Sequence, residues 1–284
     1  MSVAACRAIW VVATVGSLRA LALVERASLT AAPPPPSLAL LAFRATAAAA
    51  WVATLVDSYA DTRGLEITHR GRVVTVRHSG RFVTFTLWCN CVFACYWLSA
   101  TACSAYAVAD GDAPAWLSAL SLLLWEVAFP LSWLVAAVVS YVLIPVAAKR
   151  EPAKVEILLR WRPQFLHNGY VLAAALEALL ARPPMVWSHL PLMVLFGMTY
   201  IAFAWLMHAR LRVYAYIFID PTFSWAPVAY VALMLASTGC FAGCCALTQH
   251  LGETQAPRAT GAAMLAAALG TCTWRAPVAA RSKL

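Results

Sequence analysis

Long apolar runs alternate along this chain with short stretches that carry nearly all of its charge. A bilayer core about 30 Å thick is crossed by a helix of roughly 20 apolar residues. Runs at 38–58, 82–108, 115–147, 165–182, 187–208 and 226–248 reach or approach that length. The run 115–147 is longer than one span needs and holds Pro130, which predicts a short interfacial lead-in and then one kinked helix. The run 165–182 is the most polar, with His167, Asn168 and Glu177 inside it. Ahead of these, residues 3–24 are apolar apart from Arg7 and Arg19 and read as an uncleaved anchor, a cleaved signal or an organelle-targeting segment. Prolines 33–36 stop any helix there and form a stiff spacer. The alanine-rich run 260–272 is too short to span and is expected to be interfacial or loose. The expected class is therefore all-α, a polytopic transmembrane helix bundle. Six core spans lie within 37–250, a hydrophobic segment and spacer occupy 1–36, and a tail covers 251–284.

Composition removes the alternatives. Of 284 residues, 63% are hydrophobic and 12% charged, about half the charge of a soluble domain. A soluble domain could not bury that much apolar side chain, and a disordered chain would not carry it. The net charge of +9 changes meaning once its positions are read. Twelve of the twenty-one basic residues fall in loops 61–81, 148–163 and 209–225, Arg150 and Arg212 among them. With six spans these loops share one face, while loop 109–116 holds two aspartates and no base and loop 183–186 holds no charge. The positive-inside rule puts the basic face in the cytosol and, with a retained N-terminal helix, residue 1 beside it. The charge is then a topology signal, and no basic stripe or motif points to nucleic acid. Trp116, Trp161, Trp187 and Trp225 stand at predicted span ends, where amphipathic rings settle. Location is expected in the endomembrane system or plasma membrane. Mitochondrial targeting stays open because Arg7, Arg19 and Arg26 face only Glu25.

Nine cysteines lie mostly inside apolar runs, with no CxxC and no Cys/His set of zinc spacing, so they are expected as packers rather than metal ligands. No metal or cofactor is expected, and membrane lipids are the expected partners. Gly239 and Gly243 form a GxxxG, which lets helices approach closely within the chain or between two copies.

Polar groups inside a bilayer cost roughly 2.5–3.5 kcal/mol per charge at mid-helix, so each needs a reason. They fall at two depths. Near the basic face, Thr84 and His167 begin their spans while Asp57 and His208 end theirs. A threonine hydroxyl, an imidazole and a carboxylate at one depth suit nucleophilic catalysis on a lipid ester, with Thr84 as nucleophile, His167 as base and Asp57 or His208 in support. The plainer alternative is a threonine bonded to its own backbone and an anchoring histidine. Near the opposite face, Arg44, Glu126 and Glu177 share a depth of about 7–14 Å. They suit a buried network that fixes helix register, or a proton or ion path.

The order Phe82-Val83-Thr84-Phe85-Thr86-Leu87-Trp88 resembles the threonine-containing element of the androgen-induced protein family of six-pass membrane hydrolases and of the related Rolling stone-like family. His167-Asn168-Gly169-Tyr170 resembles their histidine element. Glu177, His189, Phe196-Gly197-Met198-Thr199-Tyr200 and Tyr216 to Asp220 resemble the Rolling stone pattern, with Ile217 and Pro221 departing from it. The resemblance covers about 38–250. It implies hydrolysis of fatty acid esters of hydroxy fatty acids by a threonine and a histidine, matched here by Thr84 and His167. Val171 stands one turn after His167, where the hydrolase group has the second, catalytic histidine. For the Rolling stone-like group the resemblance implies a non-enzymatic membrane role linked to cell fusion. A small proton-coupled transporter is the remaining alternative.

Overall fold

The structure is a computed structural model and describes residues 2–29, 37–150, 152–253 and 257–274. The proline run 33–36 and the chain from 275 onward lie outside the described residues. Eleven described helices follow one another: α1 Ser2–Ala22, α2 Leu38–Ala60, α3 Phe85–Val108, α4 Ala115–Val138, α5 Ile144–Arg150, α6 Pro152–Leu158, α7 Trp161–Gln164, α8 Tyr170–Leu180, α9 Leu190–Leu211, α10 Ala226–Glu253 and α11 Pro257–Thr271. Six stretches, Ser2–Ala22, Leu38–Ala60, Phe85–Val108, Ala115–Lys149, Trp187–Leu211 and Ala226–Leu251, are long and apolar enough to cross a membrane. The protein is an integral membrane protein with an all-α bundle.

Local chemistry starts and stops these helices. The Ser37 hydroxyl accepts from the Leu40 amide at 3.3 Å and caps α2. Arg212 adopts a left-handed φ of 60° and returns its amide to the His208 carbonyl at 2.8 Å, closing α9. The expected kink at Pro130 is not where the 115–149 stretch becomes irregular. The α-helix runs through Pro130, and a π-helical turn follows at Val139–Leu143. The expected fourth span is helical throughout 161–180 but is built from α7, a π turn at Phe165–Gly169 and α8. A π turn inserts one residue into the helical ladder and re-aims the side chains beside it. Here it carries His167.

The core is aromatic where α2, α3 and the 161–180 helix meet. Trp51 packs on Phe93 and Tyr170 at centroid distances of 5.9 and 5.7 Å, and the Phe93 and Tyr170 rings stack at 4.4 Å. Lipid offers no hydrophobic drive between helices, so this packing and the interhelical hydrogen bonds hold the bundle. Thr54 and Asn90 add one such bond between α2 and α3, from the Asn90 amide to the Thr54 hydroxyl at 3.2 Å.

The N-terminal helix is packed into the bundle. Cys6 is fully buried, the Trp10 indole donates to the Met198 carbonyl at 2.8 Å, and Ser2 donates to the Pro221 carbonyl at 2.7 Å. The start of α1 thus sits beside the basic loop 209–225, on the side expected for residue 1. The run 260–272 is not loose. It forms α11, which lies against α8 and α4 with Met264 and Ala268 buried. Alanine and glycine allow the close approach: a Cβ on Gly261 would come within 2.6 Å of Leu179. By contrast, a Cβ on Gly239 or Gly243 of α10 would meet nothing within 4 Å among the described residues.

Loop 61–81 contains a β-hairpin, β1 Leu65–His69 paired antiparallel with β2 Arg72–Val76, with Ile67 opposite Val74 and His69 opposite Arg72. Its turn is Arg70-Gly71, both at positive φ (51° and 78°), the pattern of a tight two-residue hairpin turn. Ile67, Val76, Val83 and Val213 form a small core beneath it.

The three basic loops converge on one face. Arg162 reaches Asp57 and Asp61, Arg81 reaches Asp61 at 3.0 Å, and Arg70 and His69 both reach Asp220 at 3.0 Å. Hydrogen bonding from Arg63 holds the Asp61 carboxyl well below its ordinary value, with Arg81 adding to the effect. A lowered folded-state value gives stability that is complete above the ordinary carboxylate range and is lost as pH falls through the lowered value. The hairpin is therefore expected to stay protected from limited proteolysis near neutral pH and to become cleavable on strong acidification. Asp61→Asn is expected to raise cleavage at neutral pH and flatten the acid response. An unchanged neutral-pH digest would show that Asp61 does not hold the loop.

Candidate functional site

The described polar groups separate into four sets. The first surrounds His167. The π turn buries its ring to 8% exposure, places Nε2 3.5 Å from the Thr86 hydroxyl and leaves Nδ1 without a hydrogen-bond partner. Thr84, the expected nucleophile, caps α3 in extended geometry and donates its hydroxyl to the Arg81 carbonyl at 3.1 Å. The hydroxyl beside the imidazole belongs to Thr86, two residues further along the same motif. Tyr216, from the turn before α10, lines the same cavity as Thr86. Burial pushes the Tyr216 phenol up, so it remains a protonated donor at neutral pH.

Neither expected support reaches this pair. Asp57 is engaged by Arg162 at the basic face. His208 stacks on Tyr214 at 4.2 Å and faces His69 edge-on at 6.5 Å, in the cluster that docks the hairpin.

Thr86 also lines a partly open cavity of about 100 Å³, room for about seven to ten water-sized groups. Its walls come from the start of α3, from α4 and the π turn after it, from α9, from the 216–219 turn and from α10. They are apolar, with Leu134, Met193 and Leu233 among them. The polar atoms among the lining residues are largely committed elsewhere. The Tyr200 hydroxyl donates to the Val83 carbonyl at 2.8 Å, Tyr230 to the Ile219 carbonyl at 2.8 Å and Ser237 to the Leu233 carbonyl at 2.8 Å. Thr86 and Tyr216 remain as a polar end to an apolar hole.

The second set is the buried pair of Arg44 and Glu177. Arg44 Nε donates to Glu177 Oε1 at 2.9 Å, Nη2 donates to the same oxygen, and Nη1 donates to Ser104 at 2.7 Å and to the Ala100 carbonyl at 3.2 Å. The Tyr96 hydroxyl adds a third donor to Glu177 Oε1 at 2.7 Å. The two charges meet as their shared depth predicts. Glu126, the expected third member, is elsewhere: it takes His189 Nδ1 at 2.5 Å and the Val186 amide at 2.7 Å. That partner comes from the turn Trp187–His189, which leads directly into α9.

The third set joins His69, Asp220, Arg70 and Thr222. His69 and Asp220 are 6% and 1% exposed. Burial raises the Asp220 carboxyl, but hydrogen bonds from Thr222 and the Arg70 and His69 charges outweigh it, so the net shift is downward. This set clamps the hairpin to the 212–225 loop. The fourth set contains His189. Among the described residues no group of three or more His, Cys, Asp or Glu side chains has metal-holding geometry.

No family model, curated protein or solved structure matches the chain.

Proposed function

We propose that this membrane protein takes the acyl chain of a lipid ester into the cavity between α4, α9 and α10 and hydrolyses the ester with Thr86 as nucleophile and His167 as base. One observation carries the reading: Thr86 is both a wall of the apolar cavity and the hydroxyl beside the buried imidazole. The resemblance to the androgen-induced protein family supports it, with Thr86 taking the part that the motif alone gives to Thr84.

The chemistry follows from the placement. A neutral imidazole accepts the Thr86 proton on Nε2 as the oxygen attacks the ester carbonyl. The same ring then returns the proton to the leaving alcohol, and water, activated by it, releases the acyl group from Thr86. Tyr216 lines the cavity with Thr86, and in this mechanism its hydroxyl donates toward the developing oxyanion. The Thr86–His167 separation is at the long end of a hydrogen bond, as is common before substrate tightens the site. No carboxylate is hydrogen-bonded to His167 among the described residues, so orientation of the ring falls to the π turn and its packing.

The transporter alternative draws less support, because Arg44 and Glu177 are committed to one another and to Tyr96 and Ser104.

Gly197 offers the direct test. It lines the cavity, and a Cβ there meets nothing within 4 Å. Gly197→Leu is expected to fold, to fill the hole and to lower kcat/KM for long-chain esters at least tenfold more than for acetyl esters. The assay is ester hydrolysis by protein in lipid nanodiscs. Absence of hydrolysis by the wild type, or equal loss for long and short chains, would contradict the proposal.

A further inference from the structure

On the face opposite the basic loops, three side chains form a relay that the cavity site does not use. The Ser28 hydroxyl lies 2.9 Å from His189 Nε2, and His189 Nδ1 lies 2.5 Å from Glu126 Oε2. His189 and Glu126 are fully buried, while Ser28 keeps partial exposure. The remaining Glu126 oxygen accepts the Val186 amide at 2.7 Å, so both carboxylate oxygens are held. Ser28 stands in a 3-10 turn, Arg26–Leu29, that follows α1 and packs on α4. The end of α1 packs on the Trp187–His189 turn. Segments distant in the sequence thus converge: one brings the hydroxyl, one the imidazole, one the carboxylate.

We propose that Ser28, His189 and Glu126 form a second acyl-transfer centre, a serine nucleophile with a histidine base oriented by a carboxylate. Triads of this kind are recognised by geometry and role rather than by order along the chain. Glu126 accepting from Nδ1 sets the ring tautomer and leaves the Nε2 lone pair toward Ser28. The hydroxyl oxygen also lies 2.6 Å from the Glu25 carbonyl, so it turns from that acceptor to Nε2 when an acyl group arrives. Ser28 then attacks the carbonyl, its proton passes to Nε2, and the tetrahedral intermediate collapses as the same proton moves to the departing alcohol. Water, deprotonated by His189, cleaves the acyl-serine to a free acid and restores the hydroxyl. Leu23, which precedes Ser28 in the chain, and Trp187, which precedes His189, are exposed, 83% and 49% respectively. The substrate class is therefore an ester presented at the membrane surface with an apolar chain.

The test is phosphonylation of full-length protein in nanodiscs by a fluorophosphonate probe, with peptide mapping of the adduct. The expected result is an adduct on Ser28 that is absent in Ser28→Ala and forms more than 100-fold more slowly in Glu126→Gln. The glutamine keeps an acceptor for the Val186 amide, and an unchanged Tm shows that each variant is folded. A folded wild type with no adduct on Ser28 would overturn the proposal. So would an adduct whose rate Glu126→Gln leaves unchanged, since that is ordinary surface reactivity. An adduct on Thr86 concerns the cavity site alone, so the two proposals fail separately.

Discussion

Arg44→Leu is expected to destabilise the bundle by about 3–5 kcal/mol, the cost of removing one partner of a buried ion pair. Glu177 is fully buried and Arg44 is 4% exposed. Without the guanidinium, Glu177 would keep only the Tyr96 hydroxyl as a donor, in a setting where water cannot replace the lost partner. Ser104 and the Ala100 carbonyl would lose their donor as well. The paired replacement Arg44→Leu with Glu177→Leu should cost much less than the single change, because it leaves no uncompensated charge. Unfolding in mixed detergent micelles, followed through the tryptophans, measures both. If the single change proves no worse than the double one, the pair does not hold α2, α3 and α8 together.

Thr86→Ala is expected to lower kcat for ester hydrolysis by several orders of magnitude, up to about 10⁶-fold, the scale on which loss of a nucleophile acts. Thr84→Ala should stay within a few-fold of wild type, because its hydroxyl serves the Arg81 carbonyl at the start of α3. Thr86→Ala removes one hydroxyl and one methyl from the edge of an existing cavity, so little change in stability is expected. The contrast between two threonines two residues apart is the sharper result, since a general effect on the membrane fold would depress both. A large loss in Thr84→Ala with an active Thr86→Ala would restore the assignment that the motif alone supports.

The apolar runs made the spans legible, because a bilayer demands about 20 apolar residues in a row and little else supplies them. The basic loops made their common face legible for the same reason. Arg44 and Glu177 were legible as partners from depth, a quantity that residue counting along a helix yields directly. Glu126 was not, because its partner His189 stands in the first turn of the next-but-one apolar run, and shared depth alone did not single it out over Arg44 and Glu177. The hairpin 65–76 went unread because its alternation is diluted by arginines and sits in a loop defined by charge. Helix α11 went unread because 15 residues cannot span, yet they can pack along α8. The shift from Thr84 to Thr86 has a local cause. Thr84 is still in extended geometry at the cap of α3, whereas Thr86 lies in the first helical turn and faces the ring that the π turn buries. His189 was visible in its family-like motif, but Ser28 had no signal beyond a serine after an apolar helix.

In the proposed mechanism Thr86 forms an acyl-enzyme within the membrane. Its most direct measurement is mass spectrometry of the wild-type protein, acid-quenched during turnover of a long-chain ester in nanodiscs. A mass increase of one acyl group is expected, mapped to Thr86 and absent in Thr86→Ala. Turnover at full rate with no acyl group on Thr86, or with the group mapped to Thr84, would contradict it.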